Sequence, residues 1–389
     1  MTDLLTKIFV KDSENTSDEN VRRAYGVFAG RVGIFLNICL FVLKLIAGIL
    51  TSSIGIAADA LNNLSDAGSS VITMLGFKLS GKPADNDHPF GHGRIEYLSA
   101  LFVSVIILLM GLELAKSSVV KIITPEKVDF SFMSLCILLC AVVVKAFMYF
   151  FYRHIGIKIS SQTIKAASKD SISDCISTFA VIVGILFAKI FKINTDGIIG
   201  LVVALFIIYT GFETIKDSLS PLLGNPPDKE LVKELEDTIL AHKEILGIHD
   251  MVIHDYGPTR FMISVHAEVS AKSDFLEIHE IIDETEKELC NKFKCEAVIH
   301  MDPIETDNAV INEMRPYIAE FVKKLDDRIT IHDFRVVAGN RRTNIIFDIV
   351  VPFEVSIPDS EIVKLINDEV HNKNNSYYAV INVDKSYIK

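Results

Sequence analysis

Apolar residues are concentrated in the N-terminal part of the chain, in runs long enough to cross a bilayer. A helix of about 20 mostly apolar residues spans roughly 30 Å of hydrocarbon. The pattern therefore predicts an α-helical membrane protein with six transmembrane helices. The predicted spans cover residues 31–50, 54–78, 95–118, 130–152, 164–190 and 194–219.

Residues 26–222 make up this predicted six-helix domain, and residues 1–25 precede it. The first 25 residues mix charged and apolar positions without an uninterrupted apolar core, so we expect a short amphipathic helix rather than a cleavable signal peptide. An even number of spans places both termini on one side of the membrane. Lys and Arg residues are enriched on that side, which predicts that both termini are cytoplasmic.

After Pro226 and Pro227 the pattern changes to short β-rich runs and charged amphipathic helices. The predicted elements are a helix (228–243), two strands (248–256 and 261–269), a helix (275–293) and a strand (295–301). This order is typical of an α+β ferredoxin-like domain. We assign it to residues 223–306.

A second copy of this pattern follows over residues 307–389. The run Ile248-His249-Asp250 returns as Ile331-His332-Asp333, and Val298-Ile299 returns as Val380-Ile381. An offset of 82 to 84 residues, maintained over several motifs, predicts an internal duplication of the tail.

Composition and charge divide the chain in the same way. Half of the 389 residues are apolar and the mean hydropathy is +0.35, values that fit an ordinary soluble protein poorly. Residues 1–227 carry 20 Lys and Arg against 18 Asp and Glu, whereas residues 228–389 carry 19 against 32. An acidic tail argues against nucleic acid as a partner. The six Cys residues form no CxxC pair, and we expect them to be reduced.

Two of the predicted spans contain matched pairs of polar residues. Asn62 and Asp66 are four residues apart in the second span, and Asp170 and Asp174 are four apart in the fifth. On a helix this spacing places both side chains on one face, so two facing helices would offer four oxygen donors to one ion. Ionisable residues in a span usually serve function. The alternative is that these carboxylates cap helices, bridge them, or pair with Lys44 or Lys145.

Two further groups have the residue types of metal ligands. The loop between the second and third spans contains Asp85, His88 and His92 at ligand spacing, with a solvated turn in which His92 caps the third helix as the alternative. In the tail, imidazoles and a carboxylate would converge across one sheet, with scattered surface histidines as the alternative. The tail residues are His249, His266, His279, His300 and Asp302. The matching residues of the second copy include fewer donors, so we expect weak or absent metal binding there. They are His332, Asp348, Val363, Asn382 and Asp384.

The motifs around these residues resemble the cation diffusion facilitator family, the proton-coupled exporters of zinc, manganese, iron and cobalt. The resemblance lies in residues 53–69 (SIGIAADALNNLSDAGS), 85–94 (DNDHPFGHGR), 257–261 (GPTRF) and 300–303 (HMDP). It implies a multi-pass exporter in the cell membrane that works as a homodimer and exchanges divalent cations for protons. It also implies that the three groups of residues are a transport site, a loop site and a metal-sensing tail site. The second tail copy departs from the family plan.

The donor types of the predicted transport site bear on its metal. Zinc-moving relatives have a His in this quartet, whereas this chain has none, and carboxylate and amide oxygens suit Mn²⁺. We therefore predict Mn²⁺ as the main substrate, with Fe²⁺ or Zn²⁺ as alternatives and a metal-regulated channel as the rival class. Crowded carboxylates would carry the exchanged protons. No HExxH motif or nucleophile elbow is present, so we expect neither an enzyme nor a prosthetic group.

Overall fold

The computed structural model describes residues 2–16, 18–51, 54–124, 132–191, 196–258, 260–339 and 342–385. The chain divides into two units, Met1–Asn225 with Asp255–Arg260, and Pro226–His254 with Phe261–Lys389. The predicted starts of the fourth and sixth spans, at residues 130 and 194, lie outside the described residues.

The described part of the first unit is helical. A short helix, α1, is followed by six helices of 27 to 33 residues. Their bounds are α1 (Thr2–Phe9), α2 (Glu19–Thr51), α3 (Ile54–Ser80), α4 (Ile95–Ile123), α5 (Phe132–Lys158), α6 (Gln162–Phe191) and α7 (Asp196–Leu223).

Four of these helices, α2, α4, α5 and α7, are long and apolar enough over their described residues to cross a membrane. Large apolar side chains such as Phe102, Leu109, Phe150 and Phe212 are exposed on their outer faces. Exposed apolar surface of this extent suits lipid as the surrounding medium. The unit is therefore a helical transmembrane domain, and α3 and α6 are the two long helices outside this set of four.

Close helix contacts in this unit depend on glycine. Gly111 of α4 and Gly211 of α7 lie at the contact between the two helices, where a Cβ at Gly211 would lie 3.0 Å from the Leu108 backbone. Small residues let the backbones of membrane helices approach closely. The bundle thereby gains dispersion contacts in place of a hydrophobic driving force.

The second unit contains two α-β-β-α-β segments. The first subdomain contains α8 (Lys229–Ile239), β1 (Ile245–Asp255), β2 (Phe261–Ser270), α9 (Phe275–Phe293) and β3 (Glu296–Ile304). The second subdomain contains α10 (Ala309–Leu325), β4 (Thr330–Ala338), β5 (Thr343–Val350), α11 (Asp359–Lys373) and β6 (Tyr377–Asp384). The sheets have the orders β1-β2-β3 and β4-β5-β6. In each sheet the last two strands are parallel.

Local sequence explains where these elements begin. Asp228, Asp274 and Asn308 precede α8, α9 and α10, and each side chain accepts hydrogen bonds from backbone N–H groups of the first helical turn. Asp250 and Asp333, at matching places on β1 and β4, both have positive φ angles of 49° and 48°. This conformation is uncommon outside glycine, and its occurrence at both positions gives the two strands the same local kink.

Each subdomain has its own apolar core. The first core includes Leu235, Val265 and Leu289, and the second includes Met314 and Phe347. The predicted order of elements is therefore observed in both halves of the tail, although α8 ends at Ile239 rather than at residue 243.

Candidate metal centres

The acidic residues predicted in the second and fifth spans come together inside the helical unit. Carboxylate oxygens of Asp66 on α3 and of Asp170 and Asp174 on α6 all lie within 4.8 Å of one another. The three residues are 2%, 8% and 8% exposed, respectively. Spacing by four places Asp170 and Asp174 on one face of α6, as the sequence predicted. We call these three residues the helical cluster.

A lysine from a third helix enters the helical cluster. Lys145 of α5 is 3% exposed, and its Nζ donates hydrogen bonds to Asp66 Oδ2 at 2.7 Å and to Asp174 Oδ2 at 2.6 Å. Pairing with Lys145 was one of the alternatives to a metal site, and the structure contains this pair beside the three carboxylates. One ammonium faces three carboxylates, so two negative charges have no counter-charge in the cluster when all three acids are ionised.

Asn63, the next residue after the predicted donor Asn62, contacts the helical cluster. Asn63 Nδ2 donates to Asp66 Oδ2 at 3.3 Å, and Asn62 is half-buried on the same helix. Within the described residues, Asn63 Oδ1 and Asp66 Oδ1 are buried without a hydrogen-bond partner. Buried polar atoms normally have a partner. Oxygen atoms of this kind beside acidic groups are suited to a cation.

The loop residues also converge. Asp85 Oδ1 lies 3.5 Å from His88 Nδ1, and Asp85 Oδ2 lies 3.5 Å from His92 Nε2. His92 does not cap α4, because Arg94 occupies the N-cap position without a side-chain cap bond. A hydrogen bond from the Lys82 ammonium holds the pKa of Asp85 well below its usual range. The carboxylate is therefore ionised and already has a cationic partner.

Three of the four predicted tail histidines surround Asp302 of β3, the fifth predicted residue. Its Oδ2 lies 2.8 Å from His266 Nδ1 and 3.1 Å from His249 Nε2, and its Oδ1 lies 3.3 Å from His300 Nε2. His279 is exposed on α9, outside this group. Burial, followed by the charge of His332, lowers the pKa of His249. A neutral imidazole is the form that binds a metal ion.

Two family models match the chain. The model of the cation efflux transmembrane domain matches residues 31–223, and the model of the cation efflux protein cytoplasmic domain matches residues 227–304. An uncharacterized transporter of Methanocaldococcus jannaschii is 31% identical over 270 residues, which are 69% of this chain and 95% of the relative. The chain belongs to the cation diffusion facilitator family. It is therefore a membrane transporter for divalent metal efflux, with a cytoplasmic tail domain.

Other members of the family show similar coverage. The manganese efflux system protein MneS of Bacillus subtilis is 28% identical over 275 residues, 70% of this chain and 94% of that protein. The cation-efflux pump FieF of Citrobacter koseri is 28% identical over 291 residues, 73% of this chain and 95% of that pump. The matched cytoplasmic domain ends at residue 304. The second subdomain therefore lies beyond the part of this cation diffusion facilitator that the family model matches.

Two residues that contact the helical cluster were not among its predicted metal ligands, and one of them, Lys145, was expected only as an alternative partner of the carboxylates. Asn63 lies three residues before Asp66, a spacing that also places side chains on one helix face. Lys145 lies 79 residues from Asp66 in the chain, and only its charge within an apolar helix marks it. Both signals were available, but neither identifies a contact between helices.

Proposed function

We propose that this cation diffusion facilitator is a proton-coupled antiporter that exports Mn²⁺ from the cytoplasm, with Fe²⁺ or Zn²⁺ as lesser substrates. Its transport site consists of Asn62, Asp66, Asp170 and Asp174. The observation that carries the proposal is the charge of the helical cluster, in which three buried carboxylates face one ammonium. A dication supplies the two missing positive charges, whereas a monovalent ion supplies only one.

The choice of Mn²⁺ follows from the donor atoms. The cluster offers carboxylate oxygens, and its amide neighbours add oxygen, but its described residues include no imidazole or thiolate. Oxygen donors suit Mn²⁺, whereas imidazole suits Zn²⁺ and its neighbours. The names of MneS, a manganese efflux protein, and FieF, a cation-efflux pump, are consistent with this range of substrates.

Proton exchange follows from crowding within the same cluster. Three like charges in a site that excludes water favour protonation while the site holds no metal, and an arriving dication expels those protons. In the inward-facing state the metal enters and protons leave to the cytoplasm. In the outward-facing state the metal leaves and protons enter from outside. Lys145 moves off Asp66 and Asp174 when the metal takes their oxygens.

The rest of the molecule fits this cycle as follows. Helices α2 to α7 are six spans of a plasma-membrane protein with both termini in the cytoplasm, and the protein works as a homodimer.

The tail arose by duplication, and its first subdomain senses cytoplasmic metal through His249, His266, His300 and Asp302. His279, exposed on α9, completes this tail site from the partner protomer, and Asp85, His88 and His92 are an accessory loop site. Metal bound in the tail biases the conformational equilibrium of the dimer.

Uptake into proteoliposomes tests the proposal. The purified chain should transport Mn²⁺ faster than Zn²⁺ or Fe²⁺, and an opposing pH gradient should change the rate. Asn62→His should shift the preference toward Zn²⁺, because it adds an imidazole to the site. Faster transport of Zn²⁺ than of Mn²⁺ by the unaltered chain would make it a zinc exporter of the same family. Flux indifferent to the pH gradient would overturn the antiport mechanism, and a non-saturable flux would indicate a channel.

A further inference from the structure

The second subdomain gathers three donor residues on one face of its sheet. His332 on β4 pairs with Asp348 on β5 in the strand register, and Asp384 at the end of β6 lies two residues beyond Asn382, the partner of Asp348. One donor atom from each of His332, Asp348 and Asp384 lies within 4.8 Å of the others. Three adjacent strands therefore deliver one nitrogen and two oxygen donors to one place.

The separations between these atoms are those of metal ligands. His332 Nε2 lies 3.4 Å from Asp250 Oδ1, 3.6 Å from Asp384 Oδ2 and 4.0 Å from Asp348 Oδ2. Donors held about 2.1 Å from one tetrahedral ion are roughly 3.4 Å apart. Direct charge-assisted hydrogen bonds are shorter, at about 2.7–2.9 Å. The 2.8 Å contact between His266 and Asp302 is of that shorter kind.

Burial provides a second, independent observation. The His332 side chain is 7% exposed, and within the described part of the chain neither its Nε2 nor Asp384 Oδ2 has a hydrogen-bond partner. A buried polar atom without a partner destabilises the folded state. The two unpartnered atoms lie 3.6 Å apart. A cation there would satisfy both.

The first subdomain contributes to this place. Asp250 of β1 supplies the oxygen nearest to His332 Nε2, and His249 and His332 have ring centroids 4.6 Å apart. His249 also belongs to the group around Asp302. Possible metal ligands of the first sheet (β1-β2-β3) therefore lie next to those of the second sheet (β4-β5-β6) within one chain.

We propose that His332, Asp348 and Asp384, with Asp250 from the first subdomain, form a second tail site for a divalent first-row transition metal ion. The fewer donors of this copy predicted weak or absent binding, because Val363 and Asn382 replace histidines. Asn382 nevertheless has a role, since its Nδ2 donates to Asp384 Oδ1 at 3.1 Å and leaves Oδ2 directed at His332. One nitrogen and three carboxylate oxygens suit Mn²⁺ or Zn²⁺. The bound ion ties the two subdomains together.

Counting bound metal on the purified full-length chain tests this site independently of transport. Equilibrium dialysis against Mn²⁺, followed by metal analysis, should show one ion fewer per chain for Asp384→Asn and for Asp348→Asn than for the wild type. Asp250→Asn should retain the ion with about 10-fold weaker affinity, because it loses one supporting ligand. The same measurement with Zn²⁺ extends the test to a second probe.

Asp368→Asn is the matched control, since it removes one exposed carboxylate from α11 of the same subdomain. It should bind as many ions as the wild type. Equal counts in all variants would overturn the proposal. An equal loss in Asp368→Asn would also overturn it, because binding would then follow net charge. A thermal unfolding midpoint unchanged in either Asp384→Asn or Asp348→Asn shows that the lost ion reflects a lost ligand and not a lost fold.

Discussion

Two buried charge clusters in the helical unit differ in how their charges balance. Arg22 of α2 donates from Nη2 to Glu96 Oε1 at 2.8 Å and from Nη1 to Oε2, and Ser161 Oγ donates to Glu96 Oε1 at 2.7 Å. Arg22 Nε donates to Ile159 O at 3.0 Å. One cation therefore meets one anion, and hydrogen bonds satisfy the remaining atoms.

The helical cluster is built differently. Lys145 meets Asp66 and Asp174, while Asp170 adds a third carboxylate and Asp66 Oδ1 has no hydrogen-bond partner among the described residues. A balanced pair fixes the position of helices, because any change leaves a buried charge uncompensated. An unbalanced cluster can be neutralised by protons or by a bound cation. On the proposed function, the first cluster contributes to stability and the second exchanges ions.

The largest effect is expected at the balanced pair. Arg22→Met leaves Glu96 buried without its counter-charge, which should destabilise the protein by about 3–5 kcal/mol. Thermal unfolding of the purified protein in detergent measures the change. Lys169→Met is the control, because Lys169 and Asp217 form an exposed pair at 3.1 Å. Equal stability of wild type and Arg22→Met would show that the pair does not hold α2 against α4.

The helical cluster should respond in transport rather than in stability. Asp66→Asn and Asp174→Asn each remove a ligand and a negative charge, so Mn²⁺ uptake into proteoliposomes should fall by about 100-fold or more. Their unfolding midpoints should change little, because the remaining carboxylates still pair with Lys145. Asp217→Asn, an exposed acid on α7, should transport normally. If these two variants lost stability but still transported Mn²⁺, the helical cluster would have a structural role and not a transport role.

Periodicity explains which parts of these clusters could be predicted. The spacing of four residues placed Asp170 and Asp174 on one face of α6, and the apolar runs located the long helices. Contacts between helices have no periodic signal. Arg22 and Glu96 are 74 residues apart in the chain, and the pairing of Lys145 with Asp66 rather than another acid depends on how α3, α5 and α6 pack.

In the tail, too, periodicity predicts which residues share a face but not which elements come into contact. Strand alternation placed His300 and Asp302 on one face, and the structure confirms that His266 and Asp302 meet. His279 has the right residue type, but the face of α9 that bears it is exposed. The repeat offset relates His332 to His249 as equivalent positions. Equivalence does not predict contact, and the 4.6 Å approach of the two ring centroids depends on the packing of the subdomains.

Removing the lysine should have a smaller effect than removing an acid. Lys145→Met leaves three carboxylates without the tethered ammonium, so Mn²⁺ should bind about 10-fold more tightly, a change of about 1.4 kcal/mol. Transport should become slower, because the lysine no longer competes with the ion for Asp66 and Asp174. The more tightly bound ion is then released more slowly. Mn²⁺ affinity by dialysis and initial uptake rates measure both effects. Lys169→Met should change neither, and weaker binding by Lys145→Met would show that the lysine supports the ion instead of competing with it.

The smallest effect is expected at the tail site around Asp302, which lies outside the helical unit. Asp302→Asn removes the carboxylate shared by His249, His266 and His300. A sensor changes the population of the active state rather than the transport path, so the Mn²⁺ concentration for half-maximal uptake should rise about 3-fold, or roughly 0.7 kcal/mol. The maximal rate should stay the same. Asp283→Asn on α9, whose exposed carboxylate pairs with Lys287, is the control and should match the wild type. A fall in the maximal rate with Asp302→Asn would place the tail site in the path of the ion, because only ligands on that path limit transport when metal is saturating.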